Sequence, residues 1–207
     1  MKITYHRNSS IQTYRSCEHK YWLVNSVGLI DDTNIKAARG SVCHLVWELL
    51  AKAKMTGHYK LNDKYIDPEY LLKISWNRFV KDYPQLDWND EHYEFCQKTI
   101  KKVLDSNQNP LLLNIIGIEV QFEIDIALPD FELEEGGYLK LRGTVDLVTE
   151  EDDGSLHVRD YKSGKNLDFM TGKKKSWDDF NKDSQLRIYD LALGTIFPKY
   201  DNRVRYY

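Results

Sequence analysis

Two aspartates, Asp146 and Asp160, flank the sequence Asp152-Asp153-Gly154, and Lys162 follows two residues after the second. Asp-Gly between alternating apolar stretches is a hairpin signal. A three-residue loop there pairs Glu151 with Ser155, and counting back along both strands sets Asp146 opposite Asp160. Residues opposite one another in an antiparallel pair have Cβ atoms about 5 Å apart. Two carboxylates at that separation repel by roughly 3 kcal/mol at an effective dielectric near 20. A sheet keeps such a pair only with a shared proton or a cation between them. Lys162, on the face of Asp160, is one such cation. A divalent ion is the other, and carboxylate oxygens suit magnesium or manganese. A loop of two or four residues would instead send the aspartates to opposite faces and leave them as ordinary surface charges.

His44 is the second residue with chemical promise. It shares a helical face with Glu48, four residues on, beside the apolar stripe of Val42, Leu45 and Leu49. By spacing alone a lone helical histidine is more often structural than a ligand. Gly40, one turn earlier, lets another segment approach that helix closely. Cys17, Cys43 and Cys96 are far apart and form no C-x-x-C, so neither a disulfide framework nor a zinc knuckle is indicated.

The elements that must carry these residues change character along the chain. Helical spacing runs from a cap at Ser9 or Ser10 through Ile11, Tyr14, Cys17, Tyr21 and Val24. A second helix covers about Ala38–Met55 and stops at Gly57. A third opens on Asp67-Pro68 and closes before Pro84, and a fourth covers about Asp90–Leu104. The period then becomes two: Val120, Phe122, Ile124 and Ile126 alternate with polar residues, Tyr138–Thr149 follows, then Ser155–Ser163. A last amphipathic helix spans about Asp183–Ile196, and Arg203–Tyr207 opens another strand at which the chain stops, as a truncated domain would. The expected class is α/β, a small mixed sheet flanked by helices, in a single domain over 1–207 with an N-terminal helical region and a helical insertion at about 67–106.

The net charge of −3, from 29 basic and 32 acidic residues, argues against a passive nucleic-acid coat protein. The distribution is uneven. Arg159–Lys175 holds six basic residues against two acidic, whereas Glu119–Glu135 holds seven acidic and no basic ones. Basic segments on an acidic body can receive a polyanion if the fold brings them together; otherwise they are solvated surface. No apolar run reaches membrane-spanning length and no secretory signal opens the chain, so a cytoplasmic location is expected.

Asp146, then Asp160-Tyr161-Lys162 with Ser163-Gly164-Lys165, then Gln185-Leu186-Arg187-Ile188-Tyr189, resembles the PD-(D/E)XK nuclease superfamily. The match is nearest its RecB-type exonuclease branch, which includes the AddB nuclease domain and CRISPR-associated nucleases. Ser9-Ser10-Ile11 with Tyr14 and Cys17-Glu18-His19-Lys20-Tyr21 is similar to that branch's first helix, with Glu18 where proline is usual. Arg39-Gly40-Ser41-Val42-Cys43-His44 with Glu48 is similar to its Gly-x-x-x-His helix.

The resemblance implies a restriction-endonuclease-like core and a set of roles. Asp146 and Asp160, with the Tyr161 carbonyl and His44, would hold Mg2+ or Mn2+, and Lys162 would orient or deprotonate the attacking water and steady charge on the phosphate. Gln185 and Tyr189 would position DNA. The residue types themselves add a basic segment, Lys165 with Lys173, Lys174 and Lys175, able to grip backbone phosphates, and Tyr161, Phe169, Trp177 and Phe180 as stacking surfaces for unpaired bases. Glu119 corresponds at most to a family acidic position. Some relatives carry an iron–sulfur cluster, but no cysteine follows Cys96, so this chain as given cannot build a four-thiolate site. The function implied is a divalent-metal-dependent deoxyribonuclease, an exonuclease threading single-stranded ends in recombination, repair, or phage or defence DNA processing. The same scaffold would serve a structure-selective or nicking endonuclease, or a non-catalytic DNA- or protein-binding module. No membrane contact is expected, and no helicase or recombination partner is specified.

Overall fold

The computed structural model describes residues 5–29, 33–58, 60–61, 64–127, 138–163, 176, 183–200 and 204–206. Its elements follow the expected order: α1 (Asn8–Ser16), α2 (Glu18–Tyr21), a π-helical turn (Trp22–Ser26), α3 (Ile35–Thr56), β1 (Lys60–Leu61), β2 (Lys64–Tyr65), α4 (Pro68–Asp82), α5 (Asp90–Leu104), β3 (Ile115–Ala127), β4 (Tyr138–Glu150), β5 (Leu156–Arg159), α6 (Ser184–Ile196) and β6 (Val204–Tyr206). The first helix differs from its sequence reading. It starts at Asn8 behind Arg7, which makes no side-chain cap, and it breaks at Cys17, whose backbone is extended. Cys17 Sγ accepts from the Lys20 N–H at 3.4 Å and so restarts the helix as α2. The remaining helix ends follow their capping chemistry. Asn34, Asp67, Asn89 and Asp183 accept first-turn N–H groups, and Gly57 closes α3 at φ +73°.

The sheet order is β3-β4-β5-β6, with β6 parallel to β5, so the sheet is mixed as expected. In the hairpin Glu151 N–H donates to Ser155 O at 2.9 Å, and Gly154, at φ +74°, closes the three-residue loop. Leu147 pairs with Arg159 and Val148 with Val158. That register, continued by one residue, sets Asp146 opposite Asp160. β5 is shorter than the expected Ser155–Ser163 and leaves the ladder after Arg159. The edge of β4 beyond it is taken by the N-terminal segment, where His6 bridges to Leu141.

Two cores meet at the site. One face of the sheet (Phe122, Val145, Val148, Val158) packs against Ile188, Ala192 and Leu193 of α6. The other core lies among the helices, where Val42, Val46, Trp47 and Leu50 of α3 meet Leu72 of α4 and Cys96 and Ile100 of α5. Ala51 of α3 against Leu147 of β4 joins the two. The helical insertion is thus anchored through α3.

Gly143 shows how tightly the strand leading to Asp146 is packed. A Cβ there would lie 2.5 Å from Phe122 Cζ and 2.8 Å from Cε1, and that ring is buried. Overpacking of this kind costs about 1–3 kcal/mol. Gly143→Ala should lower the unfolding free energy by that amount, seen as a lower urea midpoint at unchanged slope, a loss that Phe122→Leu on the same background should partly restore.

Candidate active site

Asp146 sits where the sheet's alternation slips. Ile118 and Leu147, a cross-strand pair, pack toward α3, whereas Val120 and Val145, the pair two residues away, pack toward α6. Strict alternation would put both pairs on one face. The residues between them, Glu119 and Asp146, take up the change, and Glu119 does so at φ +49°, the left-handed region that non-glycine residues seldom adopt. Glu119, Asp146 and Asp160 therefore form a row of acids across β3, β4 and the end of β5. α3 brings His44 and Glu48 over this row.

The row is held by a small set of contacts. Asp146 Oδ2 accepts the Tyr161 backbone N–H at 3.2 Å and lies 3.4 Å from His44 Nδ1. Lys162 Nζ is paired with Asp160 Oδ2 at 2.6 Å. Asp160 Oδ1 is 3.5 Å from Gln185 Nε2, which also donates to Tyr189 Oη at 2.5 Å. Tyr189 in turn donates to the Thr144 carbonyl at 3.0 Å, a bond that aims the Gln185 amide at Asp160. Three elements distant in sequence thus converge: α3, the β4–β5 hairpin and α6.

The electrostatics agree with the geometry. Burial, then the neighbouring Asp160 and, less, Glu119, push the Asp146 carboxyl up to about 7. Burial, then Lys162, hold His44 below the ordinary histidine value, against the opposing pull of Asp160 and of a hydrogen bond to the Tyr161 backbone. Glu119 is raised by burial and by Glu48. A neutral imidazole, crowded carboxylates and a backbone carbonyl form a donor set that suits a hard divalent cation with some nitrogen tolerance. Asp146, Asp160, His44 and the Tyr161 carbonyl would hold it. Among the described residues, no three His, Cys, Asp or Glu side chains are already drawn to ligating distances.

Not every expected residue has the expected setting. Tyr189 is buried with its ring edge-on to Phe122, so its hydroxyl acts through Gln185. The Tyr161 ring packs on Trp47 with centroids 5.0 Å apart, and its hydroxyl donates to the Gln108 carbonyl at 2.8 Å, so that ring is structural and not a platform for a base. Lys165, Lys173, Lys174, Lys175, Phe169, Trp177 and Phe180 lie outside the described residues. Trp47, which touches both His44 and Tyr161, has no standing in the sequence reading. Its one signal is its place on the apolar stripe one turn after His44. Gly40 has the role expected of it: a Cβ there would lie 2.9 Å from Ser163 Oγ, the chain just past Lys162.

A family model described as the PD-(D/E)XK nuclease superfamily matches residues 8–207. No curated protein matches the chain.

The raised Asp146 carboxyl carries a stability signature. Its folded value, about 7, exceeds the unfolded value near 3.9. The folded state therefore holds the proton more tightly, and the stability this confers is complete below about pH 4 and lost as pH rises through 7. With chelator present, Asp146→Asn should be more stable than wild type at pH 8 by about 2–4 kcal/mol. The difference should shrink toward pH 5, as followed by denaturant unfolding at each pH.

Proposed function

We propose a DNA-directed reaction for this chain, which belongs to the PD-(D/E)XK nuclease superfamily and is therefore a metal-dependent nuclease. Its substrate in this reading is DNA with a free single-stranded end, and the ion is Mg2+ or Mn2+. The observation that carries the reading is the convergence of Asp146, Asp160, His44 and Lys162 where β5 leaves the sheet. The RecB-type branch, and with it a place in recombination, repair or phage or defence DNA processing, is favoured by His44 and Gln185 reaching the same carboxylate pair.

The chain's residues divide the hydrolysis among them. Asp146, Asp160, His44 and the Tyr161 carbonyl would hold the divalent ion, which would supply Lewis-acid chemistry at the phosphoryl oxygen and lower the pKa of the attacking water. Lys162 keeps 63% of its side-chain surface exposed against 13% for Asp160, so its ammonium faces the side from which a phosphate arrives. A cation there stabilises the negative charge that grows on the non-bridging oxygens as water adds to phosphorus and the leaving oxygen departs. Gln185, braced by Tyr189, fixes the Asp160 carboxylate. His44, whose burial and proximity to Lys162 disfavour the charged form, serves as a ligand in this reading.

Asp160→Ala and Lys162→Ala should each lower the cleavage rate by at least about 10²-fold, with the fold retained by circular dichroism. His44→Ala should shift the manganese titration to higher concentration. Linear single-stranded DNA should be shortened progressively from an end, and circular single-stranded DNA of the same sequence should survive. Equal rates on the two forms would make the enzyme an endonuclease. Near-normal activity in a metal-stripped preparation of either Ala variant would remove the site assignment.

A further inference from the structure

Lys162 lines two clefts, one on each side of the catalytic segment. The first, of about 410 Å³, lies where the N-terminal segment docks on β4, between that segment and α6. Its cationic residues are Arg7, Arg142 and Lys162, and no acidic side chain lines it among the described residues. The docking of His6 on β4, with Arg142 N–H donating to His6 O at 2.9 Å, brings Arg7 and Arg142 to the same end. The second cleft, of about 780 Å³, lies between the Asp160–Ser163 segment and α5 of the helical insertion. Both volumes fall in the roughly 300–1,000 Å³ range of ligand-binding clefts.

The α5 helix is built to face that second cleft. Phe95, Lys98, Thr99, Lys102 and Val103 all line it. They recur at spacings of three and one, a single helical stripe. The adjoining stripe, with Tyr93, Cys96 and Ile100, packs on α3. Phe95 and Val103 also reach that core, and the Arg39 guanidinium lies 3.8 Å over the Phe95 ring, so the part of the first stripe without a scaffold contact of this kind is Lys98, Thr99 and Lys102. Lys98 makes an exposed pair with Glu94 at 2.9 Å, a pair worth little in water, and Lys102 has no ion pair among the described residues. The cleft wall also includes Trp47, whose buried indole N–H has no hydrogen-bond partner among the described residues.

We infer that a single DNA strand crosses the catalytic segment from one cleft to the other, with its phosphates held by Arg7 and Arg142 on one side of Lys162 and by Lys98 and Lys102 of α5 on the other. The inference rests on the DNA reading of the site and gives the helical insertion a substrate-binding role. The charge pattern suits a polyanion that passes Lys162, since the sole acidic residue lining either cleft among the described residues is Asp160.

The test is equilibrium binding of a short fluorescent oligothymidylate to the full chain in chelator, by anisotropy, over a range of salt. Lys98→Gln combined with Lys102→Gln should weaken binding about tenfold or more at low salt. It should also reduce the slope of log affinity against log salt by about 1.4, the value for two lost contacts to a single strand. Lys73→Gln combined with Lys81→Gln, on exposed positions of α4 outside both clefts, controls for net charge and should leave the slope unchanged. Equal slopes and affinities in the two double variants would overturn the strand path while leaving the nuclease reading intact. Failure of the wild-type protein to bind single-stranded DNA at any salt would overturn the DNA reading itself.

Discussion

The structure turns on a carboxylate, Asp146, that the sheet half-buries among other acids. Asp146 is held between Glu119 and Asp160 in strand register, under α3, where each neighbour makes its charge more costly. The local backbone is organised to meet that cost. Tyr161 gives its N–H to the Asp146 side chain and not to a backbone carbonyl of β4, and this is where β5 stops. Ending the ladder frees residues 160–163 to leave the sheet plane, which puts Lys162 into solvent between two clefts. The same bond that satisfies the carboxylate therefore exposes the lysine.

Much of this was legible in the sequence because hairpin register is arithmetic. Asp152-Asp153-Gly154 fixes loop length through one left-handed glycine, and loop length fixes which residues oppose each other. The helix ends at Gly57, Asp67-Pro68 and Asp183 were legible for a similar reason, since caps act locally. The sequence could not report the slip at Glu119 and Asp146, because both strands change phase together and the polar–apolar pattern of either strand alone hides it. Nor did periodicity see the break at Cys17. Tyr14, Cys17 and Tyr21 keep helical spacing across a residue with extended backbone. The α5 lysines were passed over because a charged face on a helix is ordinarily solvent-exposed, and only the position of the Asp160–Ser163 segment makes it one wall of a cleft.

The two cores give the site its rigidity from different directions. The sheet core with α6 sets the spacing of Asp146, Asp160 and Gln185, while the helical core sets His44. These meet through few contacts, among them Ala51 on Leu147 and Trp47 on Tyr161. Gly40 is one close approach, with Ser163 Oγ where a side chain would stand. An imidazole fixed by one core and carboxylates fixed by the other keep their 3.4 Å approach only if that seam is tight. The buried Trp47, touching both His44 and Tyr161, supplies the tightness.

Net charge is a poor guide to such a protein, and the reason is spatial. The chain is acidic overall, yet the clefts flanking Lys162 are lined by cations. At physiological ionic strength charges beyond about 8 Å are largely screened. A strand in either cleft therefore feels its lining far more than the distant acidic body. The body still matters, because negative surface away from the clefts discourages phosphates from settling elsewhere. In the proposed strand path, an acidic molecule with a basic cleft on each side of one lysine would direct a polyanion to that lysine, beside the carboxylates proposed to hold the divalent ion.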